Sequence, residues 1–149
     1  MYAKILVASD LTEASQPALR TAIELGRRLG ATLTALHVIE PAYQANHWFV
    51  PHIGADAEAL ASLIDRELGA ARAKLDGQLK ALEAPDSTEL HVLIGRPAQT
   101  IVDTAKNLGF ELIVVGTHAR KGLEHAILGS VAERVVRTSL VPVLTVRAS

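Results

Sequence analysis

The chain has no cysteine, one tryptophan, two tyrosines and two phenylalanines in 149 residues. Without cysteine, disulfide scaffolds, thiolate metal sites and cysteine nucleophiles are excluded together. Neither sign of charge is in excess, since 15 Lys and Arg stand against 16 Asp and Glu for a formal net charge of −1. That balance asks for neither nucleic acid nor an anionic membrane as partner. No apolar run approaches the ~18–20 residues of a membrane-crossing helix. The opening MYAKILVASD reads as a strand rather than a targeting leader. With 49% hydrophobic and 21% charged residues the chain can bury a full core, which excludes disorder. The expectation is a single domain over residues 1–149, soluble and cytoplasmic.

What is present is an alternation of short β-branched runs with longer helical patterns. Ala3 to Ala8 reads as a first strand, closed by Ser9-Asp10, and Thr12 as the cap of a helix carrying Leu19, Ala22, Ile23 and Leu29. Gly30 is a C-terminal stop for that helix. Ala31 to Ile39 reads as a second strand, followed by a loop over 41–55. Asp56 to Leu82 reads as a long helix with Leu60, Leu63, Ile64, Leu68, Leu75, Leu79 and Leu82 near one stripe. Thr88 to Ile94 is a third strand, and Pro97 suits the first position of the helix that ends at Gly109. A fourth strand spans Glu111 to Val115, a fourth helix follows Gly129-Ser130, and a fifth strand spans Val141 to Val146. Strands separated by helices imply an α/β, doubly wound parallel sheet covered on both faces.

In such sheets ligands sit beyond the carboxyl ends of the strands, where the strand order reverses. The candidate segments are Ser9-Asp10, His37 to Glu40, Gly95-Arg96 and Gly116-Thr117. The last opens GTHARKGLEHAILGS, with three glycines, two hydroxyls and a helix start at its end. Glycines let backbone N–H groups approach a phosphate, and a helix N-terminus supplies partial positive charge. Ser130 can add a hydroxyl there, while Arg120 and Lys121 can neutralise phosphate charge. By itself such a loop fits a solvated turn equally well. The Walker pattern and the dinucleotide fingerprint after the first strand are both missing, which argues against a dinucleotide dehydrogenase.

The segment resembles the nucleotide-binding signature of the universal stress protein family, G-x2-G-x9-G-[ST]. Gly116, Gly129 and Ser130 match it with the spacing kept, and Ala119 replaces the second glycine. KILVASD, LHVIE, GRPAQTI, LIVVGTH, LGSVAERVV and PVLTV fit the family in order across nearly the whole chain. The resemblance implies a Rossmann-like, five-stranded sheet of order 3-2-1-4-5, a homodimer and binding of ATP with Mg²⁺. It places Asp10 near ribose and phosphates, the Val38 backbone at adenine, and Gly116, Gly129, Ser130 and Val131 along the phosphate path. The candidate nucleotide-binding set is Ala8, Asp10, Val38, Gly116, Thr117, His118, Ala119, Arg120, Gly129, Ser130 and Val131. If position 119 needs φ > 0, its Cβ costs roughly 1 kcal/mol and weakens a site without abolishing it. Three readings stay open. The first is a switch whose ATP occupancy changes what the dimer binds. The second is a stress-associated interaction protein whose site Ala119 closes, and the third a slow ATP hydrolase.

Other residues invite chemistry without a pattern to support it. Asp10 fits the cap of the helix after the first strand as well as a ligand role. The six histidines show no helical metal-ligand spacing, so the only cation expected is one carried by the nucleotide. His118 lies within the phosphate loop. No serine has the nucleophile-elbow context, and no catalytic residue is assigned. Tyr43, Trp48 and Phe49 cluster in the loop before the long helix, either packed on that helix or forming a flap or docking surface. The late apolar strand Val141 to Val146 belongs at a sheet edge, which pairing with a second copy would cover.

Overall fold

In the computed structural model, which describes residues 1–41, 57–117 and 128–148, the alternation becomes ten elements. They are β1 (Lys4–Ala8), a 3-10 turn (Glu13–Ser15), α1 (Gln16–Leu29), β2 (Thr32–Ile39), α2 (Ala57–Ala81), β3 (Glu89–Ile94), α3 (Pro97–Asn107), β4 (Leu112–Gly116), α4 (Ser130–Thr138) and β5 (Val143–Val146). The strands form one sheet in the order β3-β2-β1-β4-β5, and every neighbouring pair is parallel. The expected order and the edge position of the last strand both hold.

The period of two along a strand sorts side chains between the two faces of the sheet. Ile5 and Val7 pack with Leu19, Ala22 and Ile23 of α1 and with Leu75 and Leu79 of α2. Leu6, between them, packs with Ala98 and Ile101 of α3 and Ala132 and Val135 of α4 on the other face. Ile5, Leu6 and Val7 are each fully buried, as the central strand of a sheet covered on both sides requires. Chain order thus places α1 and α2 on one face and α3 and α4 on the other. The reversal of strand order falls between β1 and β4.

Two sequence expectations need correction here. Thr12 does not cap α1: a 3-10 turn intervenes, α1 starts at Gln16, and Pro17 sits in its first turn where its missing N–H costs nothing. The apolar stripe of α2 is buried only in part. Ala71, Leu75 and Leu79 are buried, whereas Leu60 and Leu63 are 47% and 52% exposed. The reason is length. Twenty-five helical residues span about 37 Å, whereas the eight of β2 span about 26 Å. The helix therefore outruns the sheet it packs on.

Smaller differences have local causes. β5 starts at Val143 rather than Val141, because the Val141 N–H is taken by Ser139 Oγ at 3.0 Å. Gly30 and Gly109 end their helices at φ +63° and +70°, as a left-handed terminus favours. Among the described residues no helix is long and apolar enough to cross a membrane.

The uneven burial of α2 gives a direct check. Leu75→Ala should cost about 2–5 kcal/mol of unfolding free energy, and Leu63→Ala no more than about 0.5 kcal/mol. Urea denaturation of the two variants beside the parent measures both.

Candidate functional site: a cleft at the open end of the sheet

The reversal between β1 and β4 leaves a cleft of about 650 Å³ beyond the carboxyl ends of the strands. Ala8, Ser9 and Asp10 leave β1 along one wall, Leu36 to Val38 of β2 form a second, and Val115 and Gly116 of β4 a third. Gly129 to Ala132, at the start of α4, close the far side, and Pro97 and Ile101 of α3 supply an apolar floor.

The wall at β1 is shaped by Ser9. Its N–H donates to Leu36 O at 2.9 Å, continuing the ladder one residue past the strand. Its carbonyl meets His37 Nδ1 at 2.8 Å. A carbonyl only accepts, so His37 carries its proton on Nδ1 in this contact. The Ser9 hydroxyl lies 2.9 Å from Ser15 Oγ, donates to Gln78 Oε1 at 3.0 Å and accepts from Leu11 N–H at 3.0 Å. Leu11 has φ +67°, a left-handed conformation that costs a side-chain-bearing residue about 1–2 kcal/mol. Between Ser9 and Leu11, Asp10 accepts through Oδ1 from Thr12 N–H at 2.8 Å and from the Thr12 hydroxyl at 2.6 Å. Asp10 therefore closes its own turn rather than capping α1, whose N-cap is Ser15, and the same residue also lines the cleft.

Strand parity decides what Val38 offers. In a parallel strand the N–H and C=O of one residue face the same side, and the side alternates. Leu36 O faces β1, where Ser9 N meets it, and Ile39 O faces β3, where it accepts from Gly95 N at 3.0 Å. Val38 must then present its backbone groups toward β1. That strand has already ended, its last paired residue being Ala8 opposite Leu36. The Val38 amide edge accordingly opens on the cleft.

The start of α4 supplies the other polar wall. Its N-cap is Gly129, at φ −68° and ψ 162°, with no side-chain capping bond. The first bond inside the helix runs from Glu133 N to Gly129 O at 2.9 Å. The amides of Ser130, Val131 and Ala132 therefore precede the ladder, with the positive end of the helix dipole behind them. An anion in the cleft would meet these N–H donors.

Of the candidate set, Ala8, Asp10, Val38, Gly116, Gly129, Ser130 and Val131 come together around this one cleft. Thr117 does not line it, and its N–H donates to Val146 O at 2.9 Å, closing the ladder to β5. His118, Ala119 and Arg120 lie outside the described residues, as do Lys121 and the aromatic cluster Tyr43, Trp48 and Phe49. The Gly95-Arg96 segment is not part of the wall, which begins at Pro97. Gly95 has a packing reason instead, since a Cβ there would stand 2.5 Å from Thr100 Oγ1. Gly116 keeps ordinary room, a Cβ reaching no closer than 3.6 Å to Ala14 O. Sequence reasoning did not mark Ser15, Pro97, Ile101 or Gln78 as site residues. Only Pro97 carried a usable signal, as the first helical residue after a strand's carboxyl end. Among the described residues no group of three or more His, Cys, Asp or Glu is placed to hold a metal.

The model of the universal stress protein family matches residues 1–147. Universal stress protein YxiE of Bacillus subtilis is 34% identical over 149 residues, covering 99% of this chain and 100% of that protein. Universal stress protein MJ0531 of Methanocaldococcus jannaschii is 32% identical over 149 residues, covering 99% and 83%. The solved structure of universal stress protein UspA from Lactobacillus plantarum superposes with a TM-score of 0.77 at 28% identity, over 98% of both chains. Two more distant structures share the fold. A universal stress protein in complex with cAMP has a TM-score of 0.68 at 23% identity, over 99% of this chain and 98% of that one. The one from Archaeoglobus fulgidus in complex with dAMP has a TM-score of 0.60 at 24% identity, over 97% and 98%. With its sequence matched from end to end and its fold shared, this chain belongs to the universal stress protein family.

Proposed function

We propose that the cleft binds an adenine nucleotide, ATP with its Mg²⁺, and that occupancy changes what a homodimer of this chain binds in the cytoplasm. The observation that carries this reading is the α4 N-terminus, whose N-cap Gly129 supplies no capping side chain, opening on the cleft opposite the Val38 backbone edge. A volume of about 650 Å³ falls within the roughly 300–1,000 Å³ usual for small-molecule sites. The adenine nucleotides held by two relatives of the same fold support the choice of ligand class.

Each wall has one task in this reading. The Val38 amide edge pairs with the base, and Leu36 and Ile101 give it apolar contact. Asp10 accepts from ribose hydroxyls. The amides at the start of α4 and the Ser130 hydroxyl hold phosphate oxygens, with His118, Ala119 and Arg120 on the same path by their place in the signature. The cation is carried in by the phosphates, and its charge offsets theirs at the α4 terminus. The signal is a difference in affinity between empty and occupied states, since a ligand shifts an equilibrium only by as much as it prefers one of them. No residue is assigned a catalytic step, and ATP should survive prolonged incubation intact.

Gly129→Asp separates ligand binding from folding. The N-cap dihedrals suit any residue, and Asp is a good cap, so stability should hold or rise by a few tenths of a kcal/mol. A carboxylate at the phosphate position should weaken Mg-ATP binding at least about tenfold by repulsion and by occupying the amides. Isothermal titration of nucleotide-stripped protein, with a thermal melt of the same samples, measures both. In the same titration Ala119→Gly should bind as tightly as the parent or tighter. Binding by that variant alone would identify a parent with a closed site and favour the nucleotide-independent interaction protein.

The homodimer is proposed through β5. This edge strand bonds β4 through Pro142 O and Val146 O, so Val143 and Thr145 turn their backbone groups outward by parity. Thr145→Pro removes an outward donor and leaves the bonds to β4 in place. Sedimentation at tens of micromolar should give a dimer for the parent and a monomer for the variant, with circular dichroism unchanged.

A further inference from the structure

We infer that Gln78, on the long helix α2, is a positioning residue for the nucleotide site, holding the Asp10 turn in the shape that meets the ribose. The inference rests on the nucleotide reading above and extends it to a residue 68 positions along the chain from Asp10. One side chain spans both ends of the turn. Gln78 Oε1 accepts from the Ser9 hydroxyl at 3.0 Å, and Gln78 Nε2 donates to Thr12 O at 3.3 Å. A carbonyl oxygen only accepts, so the amide nitrogen has to face Thr12 and the amide oxygen has to face Ser9. The contact therefore needs a donor and an acceptor on one planar group, which among the side chains of this length only glutamine supplies.

The turn needs such a hold. Between the two anchor points lie Asp10 and Leu11, and Leu11 is left-handed at φ +67°. Its amide is fixed by the same Ser9 hydroxyl that Gln78 engages. Ser9 and Ser15 are 6% and 5% exposed, and their hydroxyls lie 2.9 Å apart, so water is poorly placed to replace the amide oxygen at Ser9, whereas the bond to Thr12 O lies on the exposed side of the turn. Asp10 itself is exposed and lines the cleft. A strained residue that stays strained because its surroundings determine it is a frequent companion of a ligand contact. Here the surroundings include a helix that supplies no wall of the cleft.

The test uses Gln78→Met, which keeps the length of the side chain and removes both polar contacts, and Gln78→Glu, which replaces the donor to Thr12 O by a carboxylate oxygen. Mg-ATP and two analogues, each lacking one ribose hydroxyl, are titrated into the parent and both variants. Hydrogen exchange of the Leu11 and Thr12 amides is followed without ligand. The expected result is exchange at Leu11 accelerated about tenfold or more, and Mg-ATP binding weakened about tenfold. The parent's preference for ATP over the deoxy analogues should shrink toward equality, because a displaced Asp10 loses the hydroxyls and leaves base and phosphate contacts alone. A general loss of stability would weaken all three ligands by the same factor and would overturn the inference. Unchanged exchange at Leu11 would overturn it whatever the ligand does. Parent and variants binding Mg-ATP equally would sink it and leave the nucleotide reading intact. A parent that binds no adenine nucleotide would sink both.

Discussion

A single buried hydroxyl organises the exit from β1. Ser9 Oγ sits beneath the point where the chain leaves the sheet, and a hydroxyl buried there without partners would be costly. It is satisfied from three directions, by Ser15 at the entry to α1, by Gln78 of α2 and by the amide of Leu11. The same residue's carbonyl takes the His37 imidazole, and its amide ends the ladder on β2. Every atom of Ser9 able to hydrogen-bond thus ties the turn to an element around it. The turn can hold Leu11 in an unfavourable conformation because the cost is spread over these contacts.

The rest of the cleft follows from strand arithmetic rather than from special residues. Once β1 ends at Ala8 and the chain turns aside, Val38, the next residue of β2 whose backbone faces β1, has no strand to pair with on that side. On the opposite wall the glycine at the N-cap of α4 offers the first amides of that helix no capping side chain of its own. A serine, threonine, aspartate or asparagine there would stabilise the helix more than glycine does. The chain forgoes a little helix stability where a ligand would recover it. The wall residues otherwise contribute shape and low polarity, chiefly Leu36, Pro97 and Ile101.

Most of the fold was legible in sequence because short β-branched runs and amphipathic helices have different periods. The sheet order came from the resemblance, and the structure carries it as implied. Misreadings fell where tertiary contacts outvote local pattern. Thr12 looks like a helix cap, but its hydroxyl serves Asp10 and Pro17 fixes the helix start beyond it. The leucines early in α2 have helical spacing, yet periodicity shows which face is apolar and not how far the sheet extends to cover it. Of the residues with a chemical signature, Asp10, Gly116, Gly129 and Ser130 line the cleft. Gln78 carries no signature. Its meaning arises only when a helix more than sixty residues away in sequence from the turn packs over it, and no local pattern encodes that approach.

The placement of Gln78 also bears on how occupancy would reach a partner. Coupling between two sites is reciprocal, so a helix that steadies the ligand's turn is itself steadied by the ligand to the same extent. On the proposal made here, nucleotide in the cleft strengthens the docking of α2, and α2 is the element whose forward half carries exposed leucines at 60 and 63. Its rear half is bound to the core through Leu75 and Leu79 and to the turn through Gln78. A ligand contact at Asp10 is therefore two hydrogen bonds from the surface of α2, without any movement of the central strands. The sheet stays rigid because its middle strands are buried on both faces. The bistable part of such a switch would be a turn with one left-handed residue, small enough for a single ligand's preference to move.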